Sequence, residues 1–141
     1  MKKILIQTLI ISLFFISFNA TAEIKHIKDG NVDAKVKLVV FESLTCSHCG
    51  DFHRDIYPKL KTDFIDKNLI SIEYRNFPLD IAAFNAAKIA HCRNDGKSEI
   101  LHHLYNNQSS WVRGSTIEDL NKNLKRVIEE SGFKLDFDNC I

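Results

Sequence analysis

The chain has 141 residues, with 19 Lys and Arg against 18 Asp and Glu, 45% hydrophobic residues and four cysteines. That length supports one domain of modest size, and the near-zero net charge argues against nucleic acid or an anionic membrane surface as the main partner. No internal repeat, low-complexity tract or second hydrophobic span occurs.

The N-terminus, Met1-Lys2-Lys3, is followed by the apolar run "ILIQTLIISLFFISF" and then "NATA". A short positive region, an apolar stretch and a small-residue site read as a cleavable signal peptide, residues 1–22, with the cut expected after Ala22. The run is shorter than the ~20 residues a membrane span needs. The charge pattern and small size point to a bacterial precursor, so the mature protein is expected in the periplasm. Removing the leader leaves 119 residues, 17 basic and 18 acidic, and all four cysteines: Cys46, Cys49, Cys92 and Cys140. Outside the cytosol an even cysteine count normally means disulfides.

Residues 28–35, "KDGNVDAK", are turn-rich around Gly30 and Asn31. Residues 36–43, "VKLVVFES", are apolar on both faces and predict a central strand covered on both sides. From Cys49 the apolar positions Phe52, Ile56, Leu60 and Phe64 follow at helical spacing, and Pro58 inside that helix predicts a kink. Residues 69–77, "LISIEYRNF", alternate and predict a second strand, giving a right-handed βαβ unit. After Pro78 the chain reads as helical. A buried helix is expected over 81–92, a short one over 98–108, and a loop at "SSWVRG". Ser115 and Glu118 read as a capping box before the periodic run Ile117, Leu120, Leu124, Val127, Ile128, with Gly132 as its stop and Asp136 capping a last helix.

The stretch "FESLTCSHCGDFH", residues 41–53, places Cys46 where a strand ends and a helix begins. Unpaired N–H groups and the helix dipole favour negative charge there, so Cys46 should ionise readily. A thiolate is the reactive species in disulfide exchange. Cys49, one turn further in on the buried face, is placed to resolve a mixed disulfide. His48 between them could supply a hydrogen bond or a positive charge to the Cys46 thiolate. A structural zinc site needs two more ligands at short spacing, and covalent haem attachment needs a histidine where Gly50 stands. A metal-binding reading that joins the pair with His48 lacks further ligands. The pair is therefore read as redox-active.

Together with its flanks "VFESLTCSHCGDFHRDIYPKLK", the later "YRNFPLD", "AAKIAHC" and a Trp-bearing loop, the motif resembles the periplasmic thiol oxidoreductases of the DsbA family. The resemblance runs from about Gly30 to the C-terminus. It implies an α/β thioredoxin-like fold: an N-terminal βαβ portion, residues 23–79, followed by a helical insertion domain, residues 80–141. It also implies that Cys46 is the nucleophile, Cys49 the resolving cysteine and His48 the thiolate stabiliser. Such an enzyme introduces disulfides into unfolded exported proteins, needs no bound cofactor or metal, and is recharged by a membrane quinone-linked partner. Two departures stand out. Ser47 follows Cys46 where the best-known members carry proline, which leaves the redox potential open. The family also continues into a cis-proline loop and a C-terminal ββα half, whereas the prolines here are Pro58 and Pro78, neither in the position of that proline. The chain is expected to be a truncated form with apolar surface left wet. The competing reading is a non-catalytic remnant or binding module; a reductase or isomerase is the close variant of the enzyme.

Glu42 and Ser47 are the candidates for tuning the dithiol. Glu42 lies on the strand face of Val36, Leu38 and Val40, at the end nearest the pair, and a buried carboxylate there could relay the Cys49 proton; the alternative is a partly solvated strand-end residue. His53, four residues after Cys49, reads as a helix-surface histidine, with a place brushing the site as the alternative. Adjacent His102 and His103 point about 100° apart and make a poor metal pair. His26 and His91 show no partner. Cys92 and Cys140 are the natural remaining disulfide, set against a buried thiol and a frayed end. Trp111, Val112 and Arg113 are expected on a loop, facing either a substrate or their own domain.

Overall fold

A computed structural model describes residues 23–141, so the expected leader and its cleavage site lie outside the described residues. Three strands form the sheet: β1 (Ile27–Asp29), β2 (Val36–Glu42) and β3 (Ile70–Asn76), in the order β1-β3-β2. β2 and β3 are parallel, with Leu38 opposite Ile72 and Val40 opposite Tyr74; β1 runs antiparallel to β3, with Ile27 opposite Tyr74. The period of two places Ile27, Asp29, Ile72, Tyr74, Val40 and Glu42 on one sheet face. That face carries the buried residues of β3 and β1.

The helix α1 (residues 47–65) is the crossover between the parallel strands. It opens as α-helix at Ser47–Asp51, widens to a π turn at Phe52–Ile56, returns to α at Tyr57–Leu60 and widens again at Lys61–Ile65. Pro58 has no N–H to donate and its ring crowds the carbonyl four residues back. The wide turn immediately before it relieves both problems without ending the helix. The extra residue in each wide turn also shifts the buried face. His53 and Ile65 are buried, whereas Ile56 and Phe64, expected on the core side, are exposed.

Four further helices follow: α2 (Ile81–His91), α3 (Glu99–Asn106), α5 (Ile117–Glu130) and α6 (Phe137–Cys140), with a single turn α4 (Gln108–Trp111) between α3 and α5. Their buried residues and those of the sheet belong to one core, built around Ile72, Tyr74, Ile89, Leu101, Leu104, Tyr105, Trp111, Leu124 and Ile128. The α5 cap is Thr116, whose hydroxyl accepts from the Asp119 N–H at 3.2 Å, one residue later than the Ser115–Glu118 box the sequence suggests. Ser115-Thr116 offers two adjacent hydroxyls, and the backbone turns extended at the second. Gly132 ends α5 at φ +77°, and Asp136 caps α6. The α4 turn takes in Ser109, Ser110 and Trp111 of the stretch "SSWVRG" read as a loop, and Trp111 is fully buried with its indole N–H donating to the Leu104 carbonyl at 3.0 Å. Its place in the core excludes substrate contact by that ring.

Two expectations need correction at the sheet. β1 lies within and just before the stretch read as turns. β2, read as a central strand covered on both sides, is an outer strand: β3 takes the centre, and Val36, Val39 and Phe41 are half or more exposed. Phe77, Leu79, Ile81 and Phe84, after the end of β3, are exposed as well.

Cys92, just past α2, is joined to Cys140 of α6, with Cα atoms 5.5 Å apart across 48 residues of sequence. Closing a loop of that length restricts the unfolded chain by roughly 4 kcal/mol. The Cys92→Ala/Cys140→Ala double variant should lose stability of about that size in urea denaturation, with α6 the first element to lose hydrogen-exchange protection.

Candidate active site

The turn between β2 and α1 is held at several points. The Cys46 N–H donates to the Ser43 carbonyl at 3.0 Å, and the Gly50 N–H donates to the Cys46 carbonyl at 3.1 Å. Thr45 Oγ1 donates to Asp80 Oδ2 at 2.7 Å, while Asp80 Oδ1 accepts from the Ala83 N–H and so caps α2. From α4, buried Gln108 reaches under the loop: its side-chain amide donates to the carbonyls of Leu44 and Cys46, both at 2.8 Å. Sequence reasoning missed Gln108, because nothing local marks a residue that acts across 62 positions.

Gly50 makes that approach possible. A Cβ there would stand 2.4 Å from Gln108 Oε1 and 2.8 Å from an Arg54 guanidinium nitrogen. Gly50→Ala should therefore push the Gln108 amide off its two carbonyls and cost about 1–3 kcal/mol. Denaturant melts check the stability loss, and faster exchange of the Cys46 and Gly50 amides would locate it.

Cys46 is the N-cap of α1, in an extended conformation, and Cys49 lies one turn in. Both are free thiols of intermediate exposure. The Cys46 thiol is held below its ordinary range. A hydrogen bond from the Cys49 backbone is the largest cause; burial opposes it, while the Cys49 thiol and the His48 backbone N–H assist and the Asp51 carboxylate opposes. The Cys49 thiol is raised: burial pushes it up most, and the proximity of Cys46 and of the Glu42 carboxylate adds to it against a hydrogen bond from the Ser43 backbone. Ionisation is thus favoured at Cys46 and disfavoured at Cys49.

His48 is positioned differently from expectation. Its ring is 92% exposed and faces Asp51, with Nδ1 3.5 Å from Oδ2. The group that reaches Cys46 is its backbone N–H. Ser47, exposed, lines a groove of about 460 Å³ with Thr45, Arg54, Asn106, Gln108, Ser109 and Val112.

Glu42 and His53 are fully inside. Glu42 Oε2 lies 2.8 Å from His53 Nε2, with side-chain exposures of 2% and 0%. His53 is thus no surface histidine: the π turn at 52–56 and its position four residues after Cys49 direct it at the sheet. The Tyr105 ring stacks on it at 3.9 Å. Burial holds the His53 imidazole below its ordinary range against the opposing pull of Glu42. His53 Nδ1 meets His102 Nδ1 at 2.8 Å, and His102 Nε2 meets Asp29 Oδ2 at 2.8 Å. Asp29 also accepts from the hydroxyls of Tyr57, Tyr74 and Ser98. Burial alone would raise the Asp29 carboxyl, but the hydrogen bonds of His102, Ser98 and Tyr57 and the His102 charge outweigh it and bring it to about 2. His103, as its spacing implied, points elsewhere, toward the Val127 carbonyl. Among the described residues no group of three or more His, Cys, Asp or Glu could hold a metal ion.

A thiolate-prone cysteine capping a helix, a raised partner one turn on, and a parallel βαβ unit define a thioredoxin-type dithiol protein. A family model described as thioredoxin matches residues 22–141, and the chain belongs to that family, with a DsbA-like fold. A Rickettsia bellii protein named "Putative protein-disulfide oxidoreductase" is 36% identical over 93 residues, which is 64% of this chain and 36% of that protein. Disulfide bond formation protein D of Bacillus subtilis is 27% identical over 111 residues, 72% of this chain and 50% of that one. The crystal structure of Wolbachia pipientis α-DsbA1 superposes with a TM-score of 0.71 at 31% identity, covering 82% of this chain and 58% of that structure. The chain thus spans about a third to somewhat under six-tenths of these relatives.

Proposed function

We propose that this protein is a thiol–disulfide oxidoreductase that passes its Cys46–Cys49 disulfide to reduced cysteines of unfolded exported proteins. The observation that carries the reading is the placement of two free thiols at the start of α1, Cys46 as its extended N-cap and Cys49 one turn in, where ionisation is favoured at Cys46 and disfavoured at Cys49. The names of its relatives support the reaction class. A substrate thiolate attacks Cys46 Sγ, the Cys46–Cys49 bond breaks, and Cys49 leaves with the electron pair. A second substrate thiol then attacks the mixed disulfide and releases Cys46 as thiolate. Stabilising that thiolate favours the reduced dithiol and makes its disulfide oxidising. The signal-like N-terminus supports a periplasmic location, where a quinone-linked membrane partner would restore the disulfide. The 23–79 and 80–141 portions would divide the work as dithiol unit and helical insertion.

A glutathione redox titration of the chain, read by thiol alkylation, tests the proposal. A single two-electron transition more oxidising than that of an unstructured Cys-Ser-His-Cys peptide is expected; a curve matching the peptide would overturn it. The pH dependence has a defined sign. Because the folded Cys46 pKa is lowered, its stabilisation of the reduced chain is present above the unfolded thiol pKa and is lost as pH falls through the folded value. Iodoacetamide should therefore label Cys46 at lower pH than an ordinary thiol, and before Cys49 reacts.

A further inference from the structure

The chain of contacts from Glu42 to Asp29 has a proton count that its geometry fixes. Three contacts of 2.8 Å link four groups in series: Glu42 Oε2 to His53 Nε2, His53 Nδ1 to His102 Nδ1, and His102 Nε2 to Asp29 Oδ2. Each hydrogen bond needs one proton. Two ionised carboxylates and two neutral imidazoles carry only two. With all three bonds made, the series holds one proton beyond that state and a net charge of −1. Asp29, accepting from four donors, stays a carboxylate. The extra proton then sits on Glu42, on His53 or on His102, and a hop along one hydrogen bond converts each arrangement into the next.

The ends of the series differ. Glu42 is buried at the end of β2, just before the turn that carries Cys46, and bonds His53, one helical turn after Cys49; its charge opposes ionisation of Cys49, and its second oxygen, Oε1, has no hydrogen-bond partner among the described residues. His102 and Asp29, at the other end, are 15% and 16% exposed. Glu42 stands on β2 and Asp29 on β1, the two outer strands, so the series crosses the sheet face over roughly 10 Å, twice the spacing between strands. The other titratable groups against it are the Tyr57, Tyr74 and Tyr105 hydroxyls, all raised, first by burial and then by the Asp29 or Glu42 carboxylates.

We propose that Glu42, His53, His102 and Asp29 form a proton relay that exchanges the Cys49 proton with solvent at the β1 edge while a substrate covers the dithiol. The proposal rests on the oxidoreductase reading. When a substrate sulfur bonds to Cys46 and the Cys46–Cys49 bond breaks, Cys49 leaves as thiolate and takes the relay's proton; the His102–Asp29 end is refilled from water. In the reverse step the Cys49 thiol returns its proton to the relay as it attacks the mixed disulfide. His53, His102 and Asp29 are positioning residues that act through Glu42.

Nitrogen-15 NMR of the imidazoles in the full chain reads the proton count directly. At pH 7, His102 Nε2 and one of the two facing Nδ1 atoms should both be protonated, with a coupling across the N–H···N bond. Two bare Nδ1 atoms would overturn the proposal. Stopped-flow kinetics of a mixed disulfide with a cysteine peptide supply the second readout. His102→Gln keeps a donor for Asp29 but cannot pass a proton. It should slow attack by Cys49 at least about tenfold and alter its pH profile, while attack of the reduced Cys46 thiolate on a disulfide-bonded peptide, which leaves the Cys49 proton in place, stays within about twofold. Asp29→Asn should slow the same step. Equal effects on both steps, or on neither, would reduce the series to a packing network and overturn the relay. If the unsubstituted chain forms no mixed disulfide, the oxidoreductase reading fails, and the nitrogen protonation pattern still decides the relay's proton.

Discussion

Cys49→Ser should trap a mixed disulfide through Cys46 that persists until an external thiol is added, and Cys46→Ser should form none. The asymmetry follows from the α1 start. Cys46 caps the helix and gains backbone hydrogen bonds in its ionised form, whereas burial and neighbouring negative charge hold Cys49 as a thiol. Only the first sulfur is both nucleophilic and a good leaving group near neutral pH. Each unit by which the Cys46 pKa falls below that of an ordinary thiol is worth about 1.4 kcal/mol for the reduced state. That corresponds to about 30 mV in a two-electron couple. The potential from the glutathione titration and the Cys46 pKa from alkylation should therefore move together at that ratio across variants. Asp51→Asn, which removes the carboxylate opposing Cys46 ionisation, should lower the pKa and raise the potential. Intact-mass analysis of each variant incubated with a disulfide-bonded cysteine peptide, whose sulfur Cys46 attacks as the other peptide half leaves as thiolate, identifies the trapped species. Trapping through Cys49 instead would sink the assignment of roles.

The dithiol and its placement were legible because the evidence is local: an apolar strand, two cysteines three apart and a helical period follow one another in sequence. β3 was legible for the same reason, since Ile70, Ile72 and Tyr74 alternate with polar residues. β1 was not, because three residues are too few for a period of two to register, and Gly30 and Asn31 follow at once. The burial of His53 was obscured by the π turns, which move the core side of α1 off the Phe52–Ile56–Phe64 stripe that ideal spacing predicts. Glu42 shares its strand face with Val36, Leu38 and Val40, as the period of two implies; its partner could have been sought four residues after Cys49, on the same side of α1. Asp29 and His102 lie 73 positions apart and meet only because β1 pairs with the far side of β3. Gln108 is a comparable case, since its function depends on α4 packing beneath the active-site turn and on Gly50 having no side chain. His48 illustrates the opposite error, a suggestive residue type whose backbone makes the contact while its ring faces solvent.

His53→Ala should be among the most destabilising single substitutions in the chain, by about 3–5 kcal/mol, because it strands a buried carboxylate without its partner. It also removes the ring that Tyr105 stacks on and leaves a space between α1 and the sheet, which adds to the loss. Glu42→Leu alone should cost less, since the imidazole that remains can stay neutral and retain its contact with His102. The double variant Glu42→Leu/His53→Leu replaces the pair by apolar groups of comparable size and should recover most of the loss, as buried ion pairs often contribute little beyond a well-packed hydrophobic alternative. Urea denaturation of the unsubstituted chain, Glu42→Leu, His53→Leu and the double variant closes the cycle, and a coupling of about 2 kcal/mol or more is expected between residues in such direct contact. The redox readout should behave differently. Without Glu42 the charge opposing Cys49 ionisation is gone, so its thiol pKa should fall in both variants that carry the Glu42→Leu substitution, whatever their stability. A double variant that is stable but slow to resolve mixed disulfides would mean that the buried pair is kept for its proton and contributes little to holding the fold together.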